Sequence, residues 1–273
     1  MTGKNLSRRR LLVLSGSALA VPLAGCSSQG GADDATTSES EADDGTTTTQ
    51  TAAQTTAAEI EAETDADTEK TTATPEPASF EGADVTFTST ADAEIEGTLF
   101  GSGDCGVVMV PQINLDRESW KPQAQLLAAA GYTALPIDER DDPAGAVLGA
   151  VSYLKSKAGV SNVVLVGGSS GGEAVVHANA QAENGAVAGV MGISAAGGVD
   201  VAPQLQGRKL FVVGKDDDQR FVDTAKQLHE NASDPKRLVM LESDTHAQRI
   251  FESPHADTLT DLLVSFVEES CAA

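Results

Sequence analysis

Beyond residue 80, apolar residues follow two spacings in regular alternation. Short runs are unbroken or alternate every second position, and between them lie longer stretches with an apolar residue every third or fourth position. Val85–Thr88 and Ile95–Phe100 alternate in the strand manner across a polar turn, predicting an antiparallel hairpin at one sheet edge. Gly106–Val110, Tyr132–Ile137, Val163–Val166, Val187–Val190 continuing to Ile193, Leu210–Val213 and Leu238–Leu241 read as strands, most of them buried on both faces. Helical spacing appears from Trp120 to Ala130, stopping at Gly131, and again over Ala144–Ser156, Glu173–Ala178, Phe221–His229 and Leu259–Val267. Such alternation implies right-handed crossovers. The predicted fold is α/β, a mainly parallel doubly wound sheet with an antiparallel N-terminal hairpin.

The first third of the chain breaks this pattern. Ser7–Arg8–Arg9–Arg10–Leu11–Leu12 carries a twin-arginine pattern, followed by an apolar run to Ala24. That run is shorter than the ~20 apolar residues a membrane span requires. Leu23–Ala24–Gly25–Cys26 resembles the lipobox of prokaryotic lipoproteins, which implies cleavage before Cys26 and lipid attachment to its thiol. Residues 27–78 are Thr, Ala, Asp, Glu and Ser with almost no large apolar side chains, too few to offset chain entropy. A flexible segment of that length spans about 40 Å. The expected organisation is a signal peptide over residues 1–25, an acidic disordered stalk over 26–78 and one globular domain over 79–273. The protein would then sit on the outer face of the cytoplasmic membrane, held by its lipid alone.

Charge narrows the partners. A formal net charge of −23 excludes nucleic acid as a natural ligand and suits a high-salt medium, where ions screen self-repulsion. With Cys26 assigned to lipid, Cys105 and Cys271 remain, and in an oxidising compartment a bridge between them is open. The four histidines show no metal-ligand spacing, there is no Cys–x–x–Cys pair, and Gly167–Gly172 lacks the lysine of a phosphate loop. Neither metal nor cofactor is expected.

The chemistry concentrates in Val163–Val164–Leu165–Val166–Gly167–Gly168–Ser169–Ser170–Gly171–Gly172. A buried strand ends in a Gly–x–Ser–x–Gly pattern and a helix follows at once. Small residues on both sides of a serine permit the sharp turn that lifts its hydroxyl above a sheet. Two frames fit, one centred on Ser169 and one on Ser170. A serine nucleophile requires a base and an acid that orients it. His177 and His229 sit inside helical patterns and read as surface or packing residues, which leaves His246 and His255 as bases, with Asp216, Asp217 and Asp218 after the Leu210–Val213 strand as acids.

With these motifs in this order, residues 85–267 resemble the α/β-hydrolase family, particularly its small, lidless, dienelactone-hydrolase-like members. The resemblance implies Ser169 as nucleophile, two residues past the glycine that ends the strand. It implies Asp217, three residues past Gly214, as the acid, and His246, in the loop after the last strand, as the base. His255 is the competitor to His246. The backbone N–H groups of Ser170 and Ile113 would stabilise an oxyanion. One departure stands out: where the family usually carries His–Gly, this loop reads Pro111–Gln112–Ile113. The implied activity is hydrolysis of small or medium acyl esters without a cofactor. A non-catalytic surface binding protein on the same fold is the alternative, and a carrier for an exported solute the third reading.

Overall fold

The computed structural model describes residues 80–138 and 141–272. The expected signal peptide, Cys26 and the stalk through residue 78 lie outside the described residues. Strands β1 (Ala83–Thr88) and β2 (Glu94–Leu99) pair antiparallel, with Val85 opposite Gly97. They form a two-stranded sheet of their own, tied to the central sheet by the single bridges Gly97 to Ile137 and Phe100 to Ala134.

The central sheet is wholly parallel. Its strands are β3 (Cys105–Val110), β4 (Thr133–Pro136), β5 (Asn162–Gly168), β6 (Gly189–Ile193), β7 (Arg208–Gly214) and β8 (Lys236–Leu241). Their order in space is β4-β3-β5-β6-β7-β8. The strand expected to start at Val187 starts at Gly189, where pairing with Val164 of β5 begins. A Cβ at Gly189 would lie 2.6 Å from Ser270 Oγ, so the strand enters the sheet where a helix crosses closely above it.

Side chains along each strand alternate between two helical layers, which is why the central runs are apolar throughout. Val108, Val110, Leu165 and Phe211 pack with α2 (Pro143–Lys157), α3 (Ser170–Gln181) and α4 (Gln219–Asn231). Val107, Met109, Val166 and Val212 pack with α1 (Lys121–Ala129) and α5 (Ala256–Cys271). Trp120 precedes α1, wholly buried, with its ring edge-on to Phe251 at 5.8 Å. Its role is packing. Among the described residues no helix is long and apolar enough to cross a membrane.

One cation fastens the hairpin to the domain. Arg117 reaches Asp138 Oδ2 at 2.5 Å, Thr98 Oγ1 at 3.2 Å, Glu96 at 3.4 Å and Asp84 at 3.8 Å. Burial alone would lower the guanidinium's pKa, but the three carboxylates outweigh it and hold the group above its ordinary value. A disulfide fastens the other end: Cys105 at the start of β3 is bonded to Cys271 at the end of α5.

The strand order places the functional region. Chain order runs outward from β3 to β4, then reverses to β5 on the other side of β3. In open parallel sheets such a reversal leaves a crevice outside the carboxyl ends of the two diverging strands, where ligands bind. Here that crevice lies between the loop after Val110 and the turn after Gly168.

Candidate active site

The turn from β5 into α3 is as tight as its glycines permit. A Cβ at Gly167 would stand 2.2 Å from the carbonyl oxygen of Gly171. Ser169 at its apex takes φ 51° and ψ −114°, a conformation costly for any residue with a Cβ, of order 1–3 kcal/mol. Its backbone is overdetermined: Ser169 N–H donates to Ile193 O at 2.9 Å, and Ser169 O accepts from Glu173 and Ala196. The strained residue is the one whose hydroxyl the chemistry would use.

His246 closes on that hydroxyl. Its Nε2 lies 2.9 Å from Ser169 Oγ, and its Nδ1 lies 2.9 Å from Asp217 Oδ2 and 3.2 Å from Oδ1. Asp217 is almost fully buried at 4% side-chain exposure and accepts a further bond from Asp218 N–H at 2.7 Å. With the carboxylate accepting from Nδ1–H, Nε2 is left as the acceptor for the serine proton. The Phe221 ring packs on the imidazole, centroids 4.1 Å apart, restricting its rotation. Lys215 and Glu242, ion-paired, join the β7 loop to the end of β8. The Glu242 hydrogen bond, followed by its charge, raises the Lys215 pKa.

The structure thus brings Ser169, Asp217 and His246 together and separates the competitors. His255 Nε2 bonds to the Glu242 carbonyl, and Asp218 caps α4 through Arg220 N–H. Ser170 opens α3, which puts its N–H at the helix N-terminus directly after Ser169. Ile113 sits in the loop after β3 and is 62% exposed. That loop runs directly over the start of α3: a Cβ at Gly171 would be 2.4 Å from Pro111 O and 2.5 Å from Val110 O. Gly171→Ala is therefore expected to cost about 1–3 kcal/mol by overpacking. Thermal melting of the variant beside the parent measures the cost.

Several neighbours of the site escape a reading of the sequence. Ser194, wholly buried at φ 46°, accepts from Ala247 N–H through its Oγ at 3.2 Å and so holds the histidine loop. His177, grouped with surface or packing positions by its helical setting, lines a cavity of about 350 Å³ beside Ser170, with Glu173, Gln181 and Asp142. The signal was present: residues 173, 177 and 181 continue in steps of four from Ser169, one polar stripe running down α3 from the turn.

With that geometry in place, known proteins offer a comparison. The sequence matches no family model and no curated protein. Solved structures do match. A dienelactone hydrolase from Anabaena variabilis ATCC 29413 superposes with a TM-score of 0.61 at 21% identity, over 70% of this chain and 98% of that one. This is the α/β-hydrolase fold. The Pyrococcus furiosus esterase Pf2001 follows at TM-score 0.59 and 15% identity, covering 69% and 94% of the two chains. Est1E from Butyrivibrio proteoclasticus gives 0.60 and 14%, covering 71% and 100%. The mainly parallel sheet, its helices and the small hairpin agree with the architecture expected from the α/β-hydrolase resemblance.

Proposed function

We propose that this chain is a lipid-anchored, exported serine hydrolase that cleaves small or medium acyl esters through an acyl-enzyme. One observation carries the reading: His246 Nε2 stands 2.9 Å from Ser169 Oγ, with Asp217 on the opposite ring nitrogen. Ser169 Oγ attacks the ester carbonyl carbon as its proton passes to Nε2. The resulting oxyanion is met by the Ser170 and Ile113 N–H groups. The tetrahedral adduct collapses, and the imidazolium returns the proton to the departing alkoxide. A water, deprotonated by His246, then cleaves the acyl-serine and regenerates the hydroxyl. No cofactor is drawn into any step.

The structural neighbours, esterases and a dienelactone hydrolase, support the same class of reaction. A binding protein freed of catalysis would have no need for a strained serine, an aligned imidazole and a buried carboxylate together. Anchoring through Cys26 and export rest on the N-terminal motifs. The Cys105–Cys271 bridge suits an oxidising compartment.

The test is labelling by a serine-reactive fluorophosphonate in high salt, with the adduct mapped by mass spectrometry, alongside turnover of short p-nitrophenyl esters. A label on Ser169 with measurable turnover is the expected result. A label on Ser170 would move the nucleophile by one residue. A folded protein with neither label nor turnover would sink the catalytic reading.

A further inference from the structure

The departure at Pro111–Gln112 has a structural counterpart on the opposite side of the site. Gln112 N–H donates to Gln248 Oε1 at 2.7 Å, and Gln248 N–H donates to Gln112 Oε1 at 3.1 Å. Both side chains are buried, at 7% and 6% exposure. The two residues are 136 apart in sequence, and their exchange of bonds resembles a rung of a sheet made between two loops. Gln248 Nε2 donates further to Ser119 Oγ at 3.0 Å, extending the link to the short turn that precedes α1.

Each end of this clasp adjoins a reacting group. Gln248 lies two residues past His246, across Ala247, whose φ of 49° and bond to Ser194 fix the intervening turn. Gln248 Cγ also approaches within 3.2 Å of the Cβ position of Gly168, against the serine turn itself. Gln112 supplies the carbonyl half of the peptide whose nitrogen belongs to Ile113. Its oxygen accepts from Leu115 N–H at 3.1 Å, in a turn whose third residue, Asn114, is left-handed at φ 68°. A trans peptide is planar, so holding that oxygen aims the Ile113 N–H to the opposite edge. The N–H, side chain and C=O of Gln112 are all engaged, and together they set the plane of this one peptide.

We infer that Gln112 and Gln248 are a pair of positioning residues that replace the family's His–Gly device. They lock the oxyanion loop to the histidine loop, so that the Ile113 N–H and His246 Nε2 keep a fixed spacing about Ser169. This rests on the hydrolase reading above. Buried amides satisfied by one another make the link stiff, because breaking it strands polar groups without water. Preorganised donors act mainly in the transition state. Losing the clasp therefore lowers kcat and leaves KM nearly unchanged.

The experiment compares the parent with Gln248→Met, Gln248→Glu, Gln112→Met and the double Met variant on p-nitrophenyl acetate, with thermal melts on each. Gln248→Met is expected to lose 10–100-fold in kcat, with KM within about threefold. Gln248→Glu keeps the acceptor for Gln112 N–H and should recover most of the rate. The double variant should be little worse than Gln248→Met, because the two side chains act as one unit. A trifluoromethyl ketone, which forms an oxyanion on the serine, should lose affinity in parallel with kcat. Full kcat in a folded Gln248→Met would overturn the clasp while leaving the hydrolase reading intact. So would a loss expressed only in KM or in melting temperature. A parent that neither turns over ester nor labels at Ser169 would instead overturn the hydrolase reading.

Discussion

Ester turnover by the Ser169→Ala variant is expected to fall by about 10⁶-fold, and by a similar factor for His246→Ala. The equality follows from the geometry. Ser169 Oγ is a poor nucleophile until Nε2 takes its proton, and Nε2 has no substrate work to do without that hydroxyl. Their contributions are one contribution, so the double variant should be no slower than either single one. Asp217→Asn should cost less, about 10⁴-fold. An asparagine can present its amide to Nδ1, stabilising the tautomer whose Nε2 already bears a proton. Steady-state kinetics on a short p-nitrophenyl ester, with rates corrected for solvent hydrolysis, measure all four. Multiplying losses in the double variant would show that the hydroxyl and imidazole act separately. Undiminished turnover in Ser169→Ala would place the nucleophile elsewhere.

How far these groups were legible in the sequence depends on what kind of constraint fixes each. Ser169 is marked by its glycines, because a turn this tight leaves no room for Cβ atoms at Gly167 or Gly171. Asp217 and His246 were singled out through the resemblance, and they meet because a parallel sheet collects the carboxyl termini of β5, β7 and β8 along one edge. The buried strands were equally plain, for a layer covered on both faces must be apolar at every position. What was hidden depends on contacts between loops. Nothing in Gln112 or Gln248 alone marks them as partners, and the missing His–Gly pair stood out only as a departure. Ser194 was hidden for the same reason: a lone serine at a strand end carries no pattern, and its strained φ is visible only in three dimensions. Phe221 read simply as an apolar position of α4, although its ring also supports the His246 imidazole.

The second large effect expected is on stability rather than rate. Replacing both Cys105 and Cys271 by serine should cost about 2–5 kcal/mol, the upper end reflecting the long loop that the bridge closes. The two residues are 166 apart in sequence, so the bridge removes from the unfolded chain nearly all conformations in which α5 wanders from β3. For a domain of this size that is roughly 5–15 °C in melting temperature. The loss should leave chemistry untouched below the transition. Cys105 pairs in register with Asn162 at the start of β5, and Ser169 follows the far end of that strand, about 20 Å away at the usual rise per residue. Helix α5 keeps its apolar face of Leu259, Leu263 and Val267 buried against the sheet, and Asn162 Nδ2 still reaches the Cys271 carbonyl through the backbone. Local docking therefore survives and the variant folds. Calorimetry with and without reductant, on parent and double variant, checks the prediction: reductant should lower the parent to the variant's melting temperature and leave the variant unmoved. A parent indifferent to reductant, melting within a degree of the variant, would mean that the loop is already restrained in the unfolded chain and the bridge adds nothing to it.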